Sequence, residues 1–201
     1  MQNTQDIQNR IIQTIHQSIE TKMQAGEALA PLIETSSQLI VNALLNEKKV
    51  LVAGNGNSSA LGQIFVSNLL NRLEQERPSL PAMSISADST ALTAIANDAS
   101  YSDIFAKQIR AFGQENDVLI LISTTGESSN IVQALAAAHD KDMPIIALTG
   151  HDGGDITTLL NQNDIELRAP SNSNIHIHEV HLLSLLCLCD LIDFQLFGAQ
   201  E

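Results

Sequence analysis

The stretch Val118-Leu119-Ile120-Leu121-Ile122-Ser123-Thr124-Thr125-Gly126-Glu127-Ser128-Ser129 decides how the chain folds. Its first five residues are aliphatic without a break, which predicts a short strand covered on both faces. The next residues crowd five hydroxyls around one glycine, and a helical pattern follows. The same rhythm of apolar run, small polar turn and helix recurs on either side. Residues 50–53 lead into Gly54-Asn55-Gly56-Asn57-Ser58-Ser59, residues 82–86 form a second run, and residues 145–148 lead into Gly150-His151-Asp152-Gly153-Gly154. Residues 165–168 add a weaker strand and residues 175–194 a long final helix. Alternating strands and helices imply a parallel sheet between two helical layers. Upstream, Ile7, Ile11, Ile15 and Ile19 recur every four residues beside Ile12 and Met23, as in an amphipathic helix. A second helix is expected after Pro31, with Leu32, Leu39, Ile40, Ala43 and Leu44 inward. No repeat or linker interrupts this order, so one domain is expected over 1–201. Within it, 1–47 form N-terminal oligomerisation helices and 48–201 the α/β core.

Composition narrows the function classes. The chain has 201 residues, 44% of them hydrophobic but only 3% aromatic, so its core is aliphatic. Charged residues make up 16%, below the usual share of about 25%. That leaves surface to bury between subunits. A net charge of −13 argues against direct contact with a nucleic-acid backbone, which needs clustered Lys and Arg. Cys187 and Cys189 stand two apart on a helical stretch, do not face each other, and read as buried thiols. The first ten residues have neither a cationic start nor an apolar segment, and no run approaches the roughly 18 apolar residues of a membrane span. The chain therefore reads as cytoplasmic, with no membrane partner.

In an open parallel sheet, ligands bind beyond the carboxyl ends of the strands. Two loops there carry the expectation of a site: Asn55, Gly56, Asn57 and Ser58 in the first, Ser123, Thr124, Thr125 and Ser128 in the second. Each opens a helix, whose free N–H groups and dipole favour an anion. One serine is enough to cap a helix, and runs of hydroxyls in two loops exceed that need. Neither loop has the Gly spacing of a dinucleotide fingerprint or the lysine of a P-loop. A phosphorylated small molecule is the expected ligand. Gly150 to Gly154 reads as a turn.

These loops resemble the SIS-domain (sugar isomerase) family. The matching stretches, VAGNGNSS, ERPSLPA, TAIAND, ISTTGESSNIV, ALTGHDGG and HEVHLL, run almost the length of the chain. The resemblance implies a flavodoxin-like three-layer αβα domain with N-terminal helices, assembled as a homotetramer. It places Asn97, Asp98 and His178 with the ligand loops. Glu127, beside a phosphate, is expected to point away.

Two branches of the family are similar to the chain. One is the phosphoheptose (sedoheptulose-7-phosphate) isomerases. The other is the DiaA branch, which associates with the replication initiator DnaA; RPSLPA, LTAIAND and CLCDLID resemble it more. In the isomerases, four side chains on two helices hold zinc and move protons. The matching positions here are Ile64, Asn68, His178 and Leu186, of which only His178 could bind metal. A zinc site normally takes three or four protein ligands. His176 and His181 read as packed or solvated histidines. The expectation is therefore no catalytic residue and no cofactor, zinc entering only if the isomerase alternative holds. The favoured function is a non-catalytic phosphosugar-binding regulator that binds DnaA through an exposed Leu196 and Phe197 at the helix tip, the alternative being a phosphoheptose isomerase.

Overall fold

The computed structural model describes residues 4–198. The elements run α1 (Thr4–Leu45), β1 (Val50–Gly54), α2 (Asn57–Leu70), β2 (Ala82–Ser84), α3 (Ser89–Asp98), a 3₁₀ turn (Tyr101–Asp103), α4 (Ala106–Phe112), β3 (Val118–Ile122), α5 (Ser129–His139), β4 (Ile145–Thr149), α6 (Gly154–Leu159), β5 (Ile165–Arg168) and α7 (Asn174–Phe197). The five strands are all parallel, in the order β2-β1-β3-β4-β5. This is the flavodoxin-like order, and it reverses direction between β1 and β3. In register, Gly54 lies beside Ile122, so the loops leaving these two strands diverge from the same level of the sheet.

β1, β3 and β4 are buried at every position, as strands covered on both faces must be. The period of two sorts their side chains into two cores. Val50, Val52, Ile120, Ile122, Ile146 and Leu148 face α1, α2 and α7, with Phe65, Leu185 and Leu188 packed on them. Leu51, Ala53, Leu119, Leu121, Ile145 and Ala147 face α4 and α5, against Ile109, Ile131 and Leu135. The edge strand β5 carries Glu166 and Arg168, the charged residues that suit an unpaired edge. Arg77 pins the loop after α2. It donates to Asp193 at 2.7 Å and to the final α2 carbonyls of Leu69 and Asn68 at 2.7 and 2.8 Å.

The amino-terminal region differs from the sequence reading. Instead of two helices broken at Pro31, α1 is one helix of 42 residues with Pro31 inside it. A proline within a helix costs about 3 kcal/mol, because it removes one hydrogen bond and crowds the preceding turn. Here Pro31 lies on the exposed side, and buried residues on both flanks keep the helix continuous through it: Ala25 and Leu29 before, Ser36, Ser37, Ile40 and Val41 after. The isoleucine stripe faces outward. Ile7, Ile11, Ile15 and Ile19 are 50–55% exposed and Met23 is 67% exposed. The buried side at that end is Ser18, Thr21 and Ala25.

Neither α1 nor α7 holds an unbroken apolar run of about 18 residues, although both are long and apolar enough to cross a membrane by length and mean hydropathy. In this fold α7 lies on the sheet, with Ile177, Val180, Leu185, Leu188 and Ile192 buried.

Candidate functional site

The loops after β1 and β3 frame a crevice at the point where the strand order reverses, the place where open α/β sheets bind ligands. The two loops are tied across it. Asn55 Nδ2 donates to Asn130 Oδ1 at 2.8 Å and Asn130 Nδ2 donates back to Asn55 Oδ1 at 2.9 Å. The Tyr101 hydroxyl also donates to Asn55 Oδ1, at 3.2 Å. On the β2 side, Ser86 Oγ accepts from the Gly54 amide at 3.1 Å and donates to the Gly54 carbonyl at 3.0 Å.

The helix starts at this crevice lack side-chain caps. Neither Gly56 before α2 nor Ser128 before α5 makes a capping hydrogen bond. By contrast Asp88 caps α3 fully, accepting from the Thr90 and Ala91 amides at 3.0 Å each. The Ser58 amide is taken by the Asn55 carbonyl at 3.0 Å and the Ile131 amide by the Ser128 carbonyl at 2.9 Å. No side chain caps the remaining first-turn N–H groups of α2 and α5, which with the positive ends of both dipoles suit an anion. Of the predicted hydroxyls, Ser123 is buried and its Oγ accepts from the Gly126 amide at 3.0 Å, so it shapes the loop from inside. Thr124, Thr125 and Ser128 are half-buried at the rim. In the first loop Asn55 is half-buried, Gly56 and Asn57 exposed and Ser58 buried.

Gly150 to Gly154, read from the sequence as a turn, is the brace of the loop after β3. Gly126 has φ +71°, and a Cβ there would stand 1.9 Å from the Gly153 carbonyl oxygen. A Cβ on Gly154 would stand 2.3 Å from the Thr125 carbonyl oxygen. The Ile156 amide donates to the Gly126 carbonyl at 3.2 Å. The signal for this brace was the Gly153-Gly154 doublet: two adjacent glycines at positive φ, 84° and 55°, mark a close backbone approach. Glu127 is exposed, with its side chain lying along Gly154.

The other predicted residues are more scattered. Asn97 and Asp98 are exposed at the end of α3 and bond to each other at 2.8 Å. His178 is half-buried in the first turns of α7. Its neighbour Glu179 accepts from Ser18 of α1, and Lys22 approaches it to 3.3 Å. The Ser18 bond foremost, with Lys22, holds this carboxyl below its ordinary range against the opposing effect of burial. His181 is buried, and its Nε2 donates to the Thr149 carbonyl at 2.8 Å. Burial, against the opposing Thr149 bond, pushes its pKa down to about 4, so it stays neutral and structural.

Leu196, expected to be exposed beside Phe197, packs against the core of the α1–α7 layer. Phe197 is 38% exposed, and Gly198 ends the helix at φ 88° as its position predicts.

The zinc that the resemblance implies does not fit the residues present. Ile64 is an exposed aliphatic side chain on α2, and Leu186 is half-buried on α7. Asn68 lies within hydrogen-bonding reach of Cys189. That thiol is driven up to about 12, first by burial and then by Asp193, and is no metal ligand in this setting. Among the described residues no group of three or more His, Cys, Asp or Glu side chains is placed to hold a metal.

A family model described as SIS domain matches residues 12–150. The chain belongs to the SIS domain family. A phosphoheptose isomerase of Chromohalobacter salexigens is 56% identical over 196 residues, covering 98% of this chain and 100% of that one. A phosphoheptose isomerase of Alkalilimnicola ehrlichii is 51% identical over 94% of this chain and 97% of its own length. Among solved structures, a phosphoheptose isomerase from Francisella tularensis superposes with a TM-score of 0.90 at 45% identity, over 92% of this chain and 97% of that one. Phosphoheptose isomerase GmhA from Neisseria gonorrhoeae gives 0.89 at 38% identity, over 93% and 98%.

These likenesses overturn the favoured sequence reading. The expectation of a non-catalytic regulator of DnaA rested on short stretches of the DiaA type, whereas relatives matching nearly the whole chain carry the isomerase name. Short loop and helix motifs shared across a family do not discriminate its branches as well as identity over whole chains.

Proposed function

We propose that the chain is a cytoplasmic phosphosugar-binding isomerase of the phosphoheptose class, acting on sedoheptulose 7-phosphate or a closely similar sugar phosphate. The observation that carries the ligand class is the pair of loops after β1 and β3, joined by the reciprocal Asn55–Asn130 bonds, each opening a helix without a side-chain cap, with Thr124, Thr125 and Ser128 half-buried in the second. Support for the reaction comes from the names and extents of the relatives. Asn55, Gly56, Asn57 and Ser58 would line the sugar side of the crevice and Ser123 would hold the loop; Asn97, Asp98 and His178 would contact the far end of the ligand.

Aldose–ketose isomerisation moves a proton between adjacent carbons and needs a base and an acid in reach of both. Ile64, Asn68 and Leu186 cannot serve. Asp98, Tyr101, His178 and Glu179 are titratable side chains on the elements around the crevice, and proton transfer is assigned to these or to a second copy's residues. The exposed isoleucine stripe of α1, and an apolar groove between α1 and α7 lined by Ala25, Leu29, Val180, Leu183 and Leu191, support a homotetramer.

The test is binding and turnover of sedoheptulose 7-phosphate with and without zinc, on protein whose mass is measured by light scattering. The expected result is a tetramer that binds the sugar phosphate and converts it slowly, with no response to zinc. Joint substitution Ile64→His, Asn68→Glu, Leu186→His should raise turnover about 10²-fold or more and make it zinc-dependent, the range for supplying a missing acid–base group. No conversion by either protein would sink the reaction. Absence of binding would sink the ligand class, and a monomer mass the assembly.

A further inference from the structure

Behind the brace lies a polar cluster that the crevice alone does not explain. Glu166 and Arg168 project from the same face of β5, two residues apart. Glu166 Oε1 accepts from the Thr149 hydroxyl, from Thr157 Oγ1 at 3.0 Å and from Arg168 Nε at 2.9 Å. Arg168 Nη2 donates to Glu166 Oε2 at 2.6 Å and to Thr157 Oγ1 at 2.9 Å. The Thr157 hydroxyl thus donates a hydrogen bond to the carboxylate and accepts one from the guanidinium. Burial pushes the Glu166 carboxyl upward, but donation from Arg168, Thr149 and Thr157 outweighs it and holds the group below its ordinary 4.5. Solvated charges on an edge strand would guard that edge equally well without such a network.

Gly153 sits against this cluster. A Cβ there would stand 2.0 Å from Thr157 Oγ1, 2.6 Å from Glu166 Oε1 and 2.8 Å from Arg168 Nη2. The same residue's carbonyl is the one that meets Gly126 on the other side. A single thickness of backbone therefore separates the charged cluster from the phosphate loop.

We infer that Glu166, Arg168 and Thr157 are positioning residues for phosphate recognition, clamping the Gly153–Gly154 backbone against Gly126 and so fixing the spacing of the loop's hydroxyl and N–H donors. They touch no ligand. The inference rests on the reading of the ligand as a phosphorylated sugar. Misplacement of donors by a fraction of an ångström weakens contacts to the phosphate and leaves those to the sugar hydroxyls unchanged.

The experiment compares intact protein with Thr157→Val, Thr157→Ser and Glu166→Gln. Calorimetry measures sedoheptulose 7-phosphate against unphosphorylated sedoheptulose, and hydrogen exchange follows the segment 123–128 without ligand. Thr157→Val and Glu166→Gln should weaken the phosphorylated sugar about tenfold, in line with the steep cost of misplaced groups, and leave the unphosphorylated sugar unchanged. Exchange of 123–128 should quicken in both, and Thr157→Ser should restore both readings. If intact protein fails to bind the phosphorylated sugar, the ligand reading falls, and the exchange data still decide whether the clamp exists. If intact protein binds and the variants match it in selectivity and exchange, the positioning role is overturned while the ligand reading stands.

Discussion

The two loops that face each other across the crevice are built on opposite terms. The loop after β3 is closed in from behind: a Cβ on Gly126 would overlap the Gly153 carbonyl, and Ser123 and Ile156 hold the loop by further hydrogen bonds. The loop after β1 has no backing at its tip, where a Cβ on Gly56 would meet nothing within 4 Å. Both glycines have positive φ, 71° and 53°, and what separates them here is the packing around the Cβ position. That difference teaches that the crevice has one jaw braced at its glycine and one that is free only at its tip, its base being held through Gly54 and Asn55. A braced jaw suits the one group every sugar phosphate shares, whose oxygens need fixed donors. A free tip suits the variable sugar body.

The comparison breaks most readily at Gly126. Gly126→Ala adds strain at positive φ and drives a methyl group into the Gly153 carbonyl. It should cost more than about 3 kcal/mol of stability or displace the loop, with loss of sugar-phosphate binding. Chemical denaturation and calorimetry read both, and an alanine variant that binds normally would show that the jaw is not braced.

Acid sharpens the comparison next. His181 supports the braced side by donating to the Thr149 carbonyl, immediately before the Gly150 turn. Its folded pKa of about 4 lies below the ordinary 6.5, so the unfolded chain takes up its proton first as pH falls. The associated stability is complete above pH 6.5 and drains away as pH falls towards 4, by about 3 kcal/mol in all. Unfolding measured across that window should show this loss in the intact protein and lack it in His181→Gln, and hydrogen exchange should quicken around 145–154 before 54–60.

The smallest effect belongs to the free tip. Gly56→Ala meets no atom, so only its backbone opposes it: φ 53° with ψ −122° is a conformation that favours glycine, at a cost on the order of 1–3 kcal/mol. Binding should weaken no more than several-fold; a loss as large as that at Gly126 would mean the two jaws are alike.

Much of the fold was legible because its signals are local. The runs 118–122 and 165–168 coincide with β3 and β5, since short unbroken apolar or alternating runs bounded by polar turns have one economical structure. Glycine-and-hydroxyl loops after two of them marked the crevice for the same reason. The brace was less legible. Gly153 and Gly154 read as a turn because the reason for their smallness, Gly126 and Thr125, lies more than twenty residues away in sequence. The α1 helix was misdivided because a proline's local cost was weighed without the packing on either side of it. Leu196 was expected outside because the core cluster it joins is assembled from distant elements.

Sequence by itself determined the parallel αβα order, the aliphatic core, the two candidate loops and the identities of Ile64, Asn68 and Leu186 at the positions that the resemblance aligns with zinc-holding side chains. Each depends on residue identity or on a period of a few residues. Tertiary structure alone decided which loop is braced at its glycine and which is open at its tip, that the isoleucine stripe of α1 faces outward, and that His181 is buried beside Thr149 and stays neutral. Those outcomes depend on distances between groups far apart in the chain, and excluded volume and burial set such distances only once the chain has folded.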